Sequence, residues 1–207
     1  GSFDLALPTL QKLVILDDCK IVAVVVNPDS TAGKNKELVA SPVKTFALSK
    51  NLKILQPRSL KNNPGFVGEL KLLKPDLGAL VGYGKIIPRE ILSIPPLGIL
   101  NIHPSFLPNY RGPSPVQSAL LSGDVKTGVS IITLDEEMDH GPLLVQEKLE
   151  IFPEDDYLTL SKKLFEKGTD LLIDILPSYI KGEVAHQEQD HGRATYTKII
   201  KTQDAEI

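Results

Sequence analysis

The sequence predicts an α/β protein: a mostly parallel, Rossmann-like sheet with helices on both faces. Three observations carry that prediction. Short apolar, often β-branched runs of strand length alternate with helix-like segments from residue 21 to about residue 125. Turn-forming residues, among them Asn27, Pro28, Gly82 and Gly84, stand where those runs stop. The polar residues able to do chemistry gather just beyond the ends of the runs, where open parallel sheets hold their ligands.

Residues 21–26 read IVAVVV and end at Asn27, Pro28 and Asp29, so an interior strand is expected to stop at a turn. Residues 30–41 contain Gly33, Lys34, Lys36 and Glu37 with no apolar period, and predict an exposed loop. Ser41 before Pro42 is a capping pair, which opens a helix over 42–50; 53–55 is a short strand. A helix over 64–73 and an apolar run over 76–81 follow, the latter ending at Gly82, Tyr83 and Gly84. Residues 98–103 give the next strand, 114–122 a helix, 128–134 a strand and 143–151 its hairpin return. Leu160, Leu164, Leu171, Leu172 and Ile175 stripe a long helix over 157–179, closed near Gly182. Residues 183–207 are polar and suit a surface-running tail or linker.

With 42% hydrophobic and 24% charged residues, the 207-residue chain can bury a sizeable core. None of its apolar runs approaches the roughly 18 residues that a membrane span needs, so no membrane partner is expected. The single cysteine, Cys19, excludes an internal disulfide and reads as a small packing residue in a reducing compartment. A formal charge of −3 offers no general attraction to nucleic acid, so a polyanionic partner would need a local basic patch.

The densest chemical signal is NIHPSFLPNYRG at 101–112. A strand delivers Asn101 and His103 to one face, because side chains alternate along it, and two prolines stiffen the loop behind them. A carboxamide donor beside an imidazole suits acyl transfer, which needs a partner for a developing oxyanion and a group that moves a proton near neutral pH. The second signal is LDEEMDHG at 134–141, with acids clustered after an apolar strand; Asp139, next to His140 and Gly141, is the chosen carboxylate. Others among Asp135, Glu136 and Glu137 are expected to serve turn formation. The spacing fits no common zinc or calcium pattern, so no metal is expected. Gly82 and Gly84 lack the third glycine of a dinucleotide-binding turn, position 87 being Ile; close backbone approach to a flat ligand is the plainer use. Gly-rich phosphate loops and serine-hydrolase elbows are absent from the sequence.

Asn101, His103, Ser105 to Pro108, Arg111, Gly112, Asp139 and Gly141 together resemble the signature of the 10-formyltetrahydrofolate-dependent formyltransferases. Asn27 to Asp29, the basic stretch from Gly33 to Lys36 and the following Ser41 to Lys44 resemble the branch that formylates initiator methionyl-tRNA, and are not expected in the glycinamide ribonucleotide branch. The resemblance covers nearly the whole chain. It implies a formyltransferase fold whose first central strand is missing here, a catalytic domain over 1–183, and a linker over 184–207 leading to an absent C-terminal β-barrel. It implies a catalytic set of Asn101, His103 and Asp139, with Asn101 and protonated His103 on the oxyanion and Asp139 taking the amine proton. The folate donor, 10-formyltetrahydrofolate, would lie against Leu80, Val81, Gly82, Tyr83, Ile86, Ser105, Phe106, Leu107, Pro108 and Leu134. The tRNA would meet Lys34, Lys36 and Lys44, with Arg111 adding phosphate contacts. A monomer in the cytoplasm, mitochondrial matrix or plastid is the matching expectation. Sister enzymes stay open, namely an amino sugar nucleotide formyltransferase or a 10-formyltetrahydrofolate hydrolase domain, as does a non-catalytic folate- or tRNA-binding module.

Overall fold

The computed structural model describes residues 2, 4–32, 37–201 and 204, and the chain divides into two compact units, Gly1–Asn101 and Ile102–Ile207. In the first unit a short 3-10 turn, Asp4–Ala6, leads into helix α1, Leu7–Val14, an element beyond those expected from the sequence. Its signal was present: Leu7, Leu10 and Val14 recur at helical spacing, Leu10 is buried, and a proline occupies the first turn, where its missing N–H costs nothing.

The apolar run 21–26 forms a ladder over only two residues, β1 (Val24–Val25), which pairs in parallel with β4 (Ile54–Leu55). The partner strand is short, and that sets the limit. Val26 nevertheless donates to the Leu55 carbonyl at 3.0 Å and is fully buried, so the run is core as expected. The expected open loop after it is corrected at both ends: β2 (Ser30–Ala32) and β3 (Glu37–Val39) pair antiparallel, Ser30 opposite Val39. Leu38 and Val39 supply the β-favouring residues that the polar middle concealed. Lys34 and Lys36 lie outside the described residues.

Helix α2 (Pro42–Ser49) starts as its sequence requires, the Ser41 hydroxyl accepting from the Lys44 N–H at 3.2 Å. Helix α3 (Pro64–Leu73) is capped by Asn63 in the same manner. Strand β5 (Gly78–Val81) follows, then a further single helical turn, α4 (Arg89–Leu92), beyond the expected elements. Strand β6 (Ile99–His103) lies beside β5 in this unit, and all five of its residues are buried.

The second unit begins with the last two residues of β6 and continues through α5 (Pro115–Leu121), β7 (Lys126–Thr133), β8 (Leu143–Glu150) and α6 (Tyr157–Ile180). The expected hairpin return is present, with β7 and β8 antiparallel from Lys126 opposite Glu150 to Ile132 opposite Leu143. Asp156 and Thr159 form a capping box at the start of α6, each side chain taking the other's backbone N–H. Four leucines on one stripe of that helix, Leu160, Leu164, Leu172 and Leu176, are buried, each contributing about 1.5–3 kcal/mol of transfer free energy. The stripe has a gap at Gly168, where an added Cβ would run into the side chains of Ile102 and Val129. Glycine there lets α6 lie close on the sheet.

Gly168→Ala should therefore destabilise the protein by about 1–3 kcal/mol through overpacking, although alanine is the better helix former. Urea denaturation checks it; a more stable variant would show that the helix can lift off the sheet freely.

Candidate active site

Strand β6 delivers the two residues of the first chemical signal. Asn101 is the last residue of the first unit and is 5% exposed; His103 ends the strand and is 4% exposed. A two-residue step along a strand returns to the same face. Beyond His103 the loop turns so that its ring Nε2 lies 2.9 Å from the Tyr110 carbonyl oxygen. A carbonyl only accepts, so the Nε2 proton is committed to Tyr110. The other ring nitrogen, Nδ1, faces Asp139 Oδ1 at 3.5 Å, an ion-pair separation rather than a hydrogen bond. The second signal is thus brought to the first.

Asp139 is held in a demanding pose. Its backbone is left-handed, with φ of 49°, a conformation that Asp tolerates better than most residues. Its second carboxylate oxygen accepts the Gly112 N–H at 2.8 Å. The neighbouring acids do turn work: Asp135 accepts the Glu137 N–H at 2.9 Å and pairs with His140 Nδ1 at 2.7 Å. Gly141 has room for no side chain, because a Cβ would overlap the Thr133 carbonyl. Among the described residues no cluster of three or more His, Cys, Asp or Glu side chains is placed to hold a metal ion.

The loop at 105–108 is stapled to the hairpin. The Ser130 hydroxyl donates to the Ser105 carbonyl and accepts from the Leu107 N–H, and Gln146 donates to both Ser130 and the Leu107 carbonyl. Ser105 is fully buried and its hydroxyl donates to the Asn109 carbonyl at 2.6 Å. Leu107 packs in a core cluster with Ile132 and Leu143, against which Leu134 also lies. The Ser105 and Leu107 side chains are therefore consumed inside the fold, and backbone is what they can offer a ligand. Phe106 carries Lys148 over its ring at 4.9 Å. In the first unit Leu80 and Val81 end β5, Gly82 and Gly84 adopt positive φ of 51° and 71°, and Ile86 is largely exposed. Tyr83 is buried with no partner for its hydroxyl among the described residues, and burial pushes its pKa up.

Arg111 corrects the expectation of a phosphate contact. Its side chain is 1% exposed and points inward. Its Nη2 donates to Gln189 Oε1 at 2.7 Å and to His191 Nδ1 at 2.8 Å, and Nη1 lies 3.2 Å from the Tyr196 hydroxyl. A guanidinium buried on these acceptors is turned away from any phosphate at the surface. Gln189 also reaches Asp139, its Nε2 donating to the Asp139 carbonyl at 2.9 Å and the Gly141 carbonyl at 2.7 Å. Thr195 and Thr197 exchange backbone bonds with Pro108 and Arg111, and the Thr195 hydroxyl accepts the Tyr110 N–H. The stretch 187–197, expected as a surface-running tail or linker, stays mostly at the surface but is hydrogen-bonded beside the loop that carries His103's partner. Sequence reasoning missed Tyr110, Gln189, His191 and Tyr196 as members of this network. The available signal was Arg111 itself, an arginine inside an apolar loop that must find acceptors.

A family model described as formyl transferase matches residues 10–176. The chain belongs to that family. Methionyl-tRNA formyltransferase of Chloroflexus aurantiacus is 46% identical over all 207 residues, which cover 66% of that protein. The Fusobacterium nucleatum protein of the same name is 39% identical over the same span, again 66% of its length. The chain thus spans about two thirds of these curated relatives. Among solved structures, phosphoribosylglycinamide formyltransferase from Bacillus halodurans superposes with a TM-score of 0.69 at 25% identity, covering 88% of this chain and 90% of that one. An N-formyltransferase from Helicobacter canadensis, in complex with folinic acid and dTDP-3-aminofucose, gives 0.72 at 19% identity, covering 100% and 70%. These formyltransferases share the Rossmann-like α/β fold with this chain.

Lys44, expected to face tRNA, is engaged locally: its Nζ lies 2.6 Å from Asp29, which also accepts from Gln56 at 2.9 Å. The hydrogen bond from Lys44, then that from Gln56, holds the Asp29 carboxyl below its ordinary range. A carboxylate lowered by folding stabilises the fold fully above the unfolded value, about 3.9, and loses that contribution as pH falls through the lower folded value. Asp29→Asn should remove this part of the acid dependence and leave stability nearer neutral pH reduced. Thermal melts of both proteins from pH 7 down to pH 2 test it; parallel curves would rule it out.

Proposed function

We propose that this chain transfers the formyl group of 10-formyltetrahydrofolate to the amino group of initiator methionyl-tRNA. The observation that carries the reading is His103 Nδ1 facing Asp139 Oδ1 at 3.5 Å, with Asn101 two residues earlier on the same strand. The names of relatives 39–46% identical over the whole chain support the acceptor. Since this chain spans about two thirds of their length, residues 1–183 are read as the catalytic part, with 187–197 contributing to it, and the remaining tail as leading to a further domain.

The chemistry follows from the donor set. The methionyl amine attacks the formyl carbon, and the carbonyl electron pair moves onto oxygen, where the Asn101 carboxamide N–H meets it. The Nε2 proton of His103 is held by Tyr110, so the proton released by the amine is received at Nδ1. The imidazolium formed there has its new N–H beside Asp139, whose negative charge balances it. That proton then passes to the departing folate nitrogen as the carbon–nitrogen bond breaks. Relative to the sequence expectation, His103 carries the proton and Asp139 steadies it. The flat donor would rest on the backbone of 105–108, with Leu134 and Phe106 supplying apolar edges. Lys34 and Lys36 would face the tRNA acceptor end, and the setting is cytoplasmic.

Formyl transfer is measured with methionyl initiator tRNA beside free methionine, an amino sugar nucleotide and water. Transfer to the charged tRNA alone is expected; transfer to another acceptor would move the substrate and keep the chemistry. His103→Ala should lower kcat by about 10²–10⁴-fold, the usual contribution of a positioned acid–base group, and a near-normal rate would sink the mechanism. Replacing Lys34 and Lys36 together by Ala should raise KM for tRNA while folate affinity stays unchanged, and an equal loss of both would remove the loop from the tRNA interface.

A further inference from the structure

We propose that Gln189 is a positioning residue for the reaction: through Arg111 on one side and the 139–141 turn on the other, it sets the aim of the Asp139 carboxylate at His103. The inference rests on the functional reading above and adds to it a residue thirteen positions beyond the stretch 10–176 that the family model matches.

The geometry makes the carboxamide a two-faced connector. Its oxygen accepts from Arg111 Nε at 3.2 Å and Nη2 at 2.7 Å, a bidentate pair on one atom. Its nitrogen gives one hydrogen to the Asp139 carbonyl and the other to the Gly141 carbonyl. Both donors and the acceptor of Gln189 are used, and the residue is 4% exposed, so its amide orientation is fixed: the reverse orientation would set N–H against guanidinium and oxygen against two carbonyls.

What it fixes is a turn that would not hold its shape alone. Asp139 sits at positive φ, and Gly141 allows no side chain against Thr133. The backbone of Asp139 is gripped by Gln189, and its carboxylate by the N–H of Gly112, the residue following Arg111. Arg111 thereby acts on the carboxylate by two routes, its side chain through Gln189 and its chain neighbour directly. The acceptors that meet Arg111 are neutral: the Gln189 oxygen, the Tyr196 hydroxyl and His191 Nδ1. A buried cation satisfied by neutral groups is a poor way to gain stability. Its value here is orientation, since a planar guanidinium fixes the planes of the groups it meets.

Two variants separate positioning from plain stability. Gln189→Glu keeps an acceptor for Arg111, now charged, and removes both N–H donors to the turn. Gln189→Leu removes everything. The full chain is assayed with 10-formyltetrahydrofolate and methionyl initiator tRNA, and hydrogen–deuterium exchange is followed over residues 134–141. Gln189→Glu is expected to keep the wild-type melting temperature within a few degrees, lower kcat by about 10–100-fold as loss of a residue supporting a site does, shift KM for folate by less than about threefold, and speed exchange in the 134–141 turn. Gln189→Leu should lose both stability and kcat. A Gln189→Glu protein with wild-type kcat and wild-type exchange overturns the proposal. The exchange arm needs no turnover: if the wild-type chain formylates none of the acceptors, the functional reading fails, while faster exchange in Gln189→Glu still upholds the connector and unchanged exchange still overturns it.

Discussion

A guanidinium carries five N–H donors and no acceptor, and Arg111 sets that group where only 1% of the residue meets solvent. Moving a charge out of water is among the most expensive operations available to a folded chain, so the surroundings are built to satisfy it. Gln189, His191 and Tyr196 come from a stretch of chain 78 to 85 residues away to do so. Their arrival brings Thr195 and Thr197 into a ladder with Pro108 and Arg111, and places the Gln189 amide on the Asp139 turn. The His103 to Asp139 approach, the Gly112 to Asp139 bond and the course of 187–197 all lean on that one buried cation.

Stacking and hydrogen bonds stiffen the same region. His140 and His191 stack with ring centroids 4.0 Å apart and planes within 3°, beside the Arg111 guanidinium that His191 accepts from. Because Arg111 can only donate, His191 must accept at Nδ1, which assigns its tautomer and leaves its Nε2 toward Glu188. Ser130, at the middle of β7, holds the loop at 105–108 by accepting from Leu107 and Gln146 and donating to the Ser105 carbonyl. Catalytic groups in such a frame need little reorganisation when charge develops, which is the largest single source of rate in acyl transfer.

Much of this was legible in the sequence. The alternation of runs gave the α/β class, the period of two put Asn101 with His103, and the acid cluster at 134–141 contained the carboxylate that meets the imidazole. The caps Ser41 and Asn63 and the leucine stripe of α6 stand where local rules put helix starts and buried faces. These features depend on neighbours one to four residues away, so composition and spacing are enough to find them.

What tertiary structure alone decided concerns partners distant in sequence. Arg111 read as a surface cation because arginine usually is one, and nothing nearby in the chain announces that Gln189 and His191 will enclose it. The polar stretch after α6 reads as a tail or linker for the same reason: Gln189, Thr195 and Thr197 find their partners only once the loop at 108–112 is there to receive them. That Nδ1 of His103 faces Asp139 while Nε2 meets the Tyr110 carbonyl likewise follows from distances that no spacing rule encodes. Local periodicity determined the elements and the chemical alphabet of this protein; long-range satisfaction of one buried charge decided how those letters face each other.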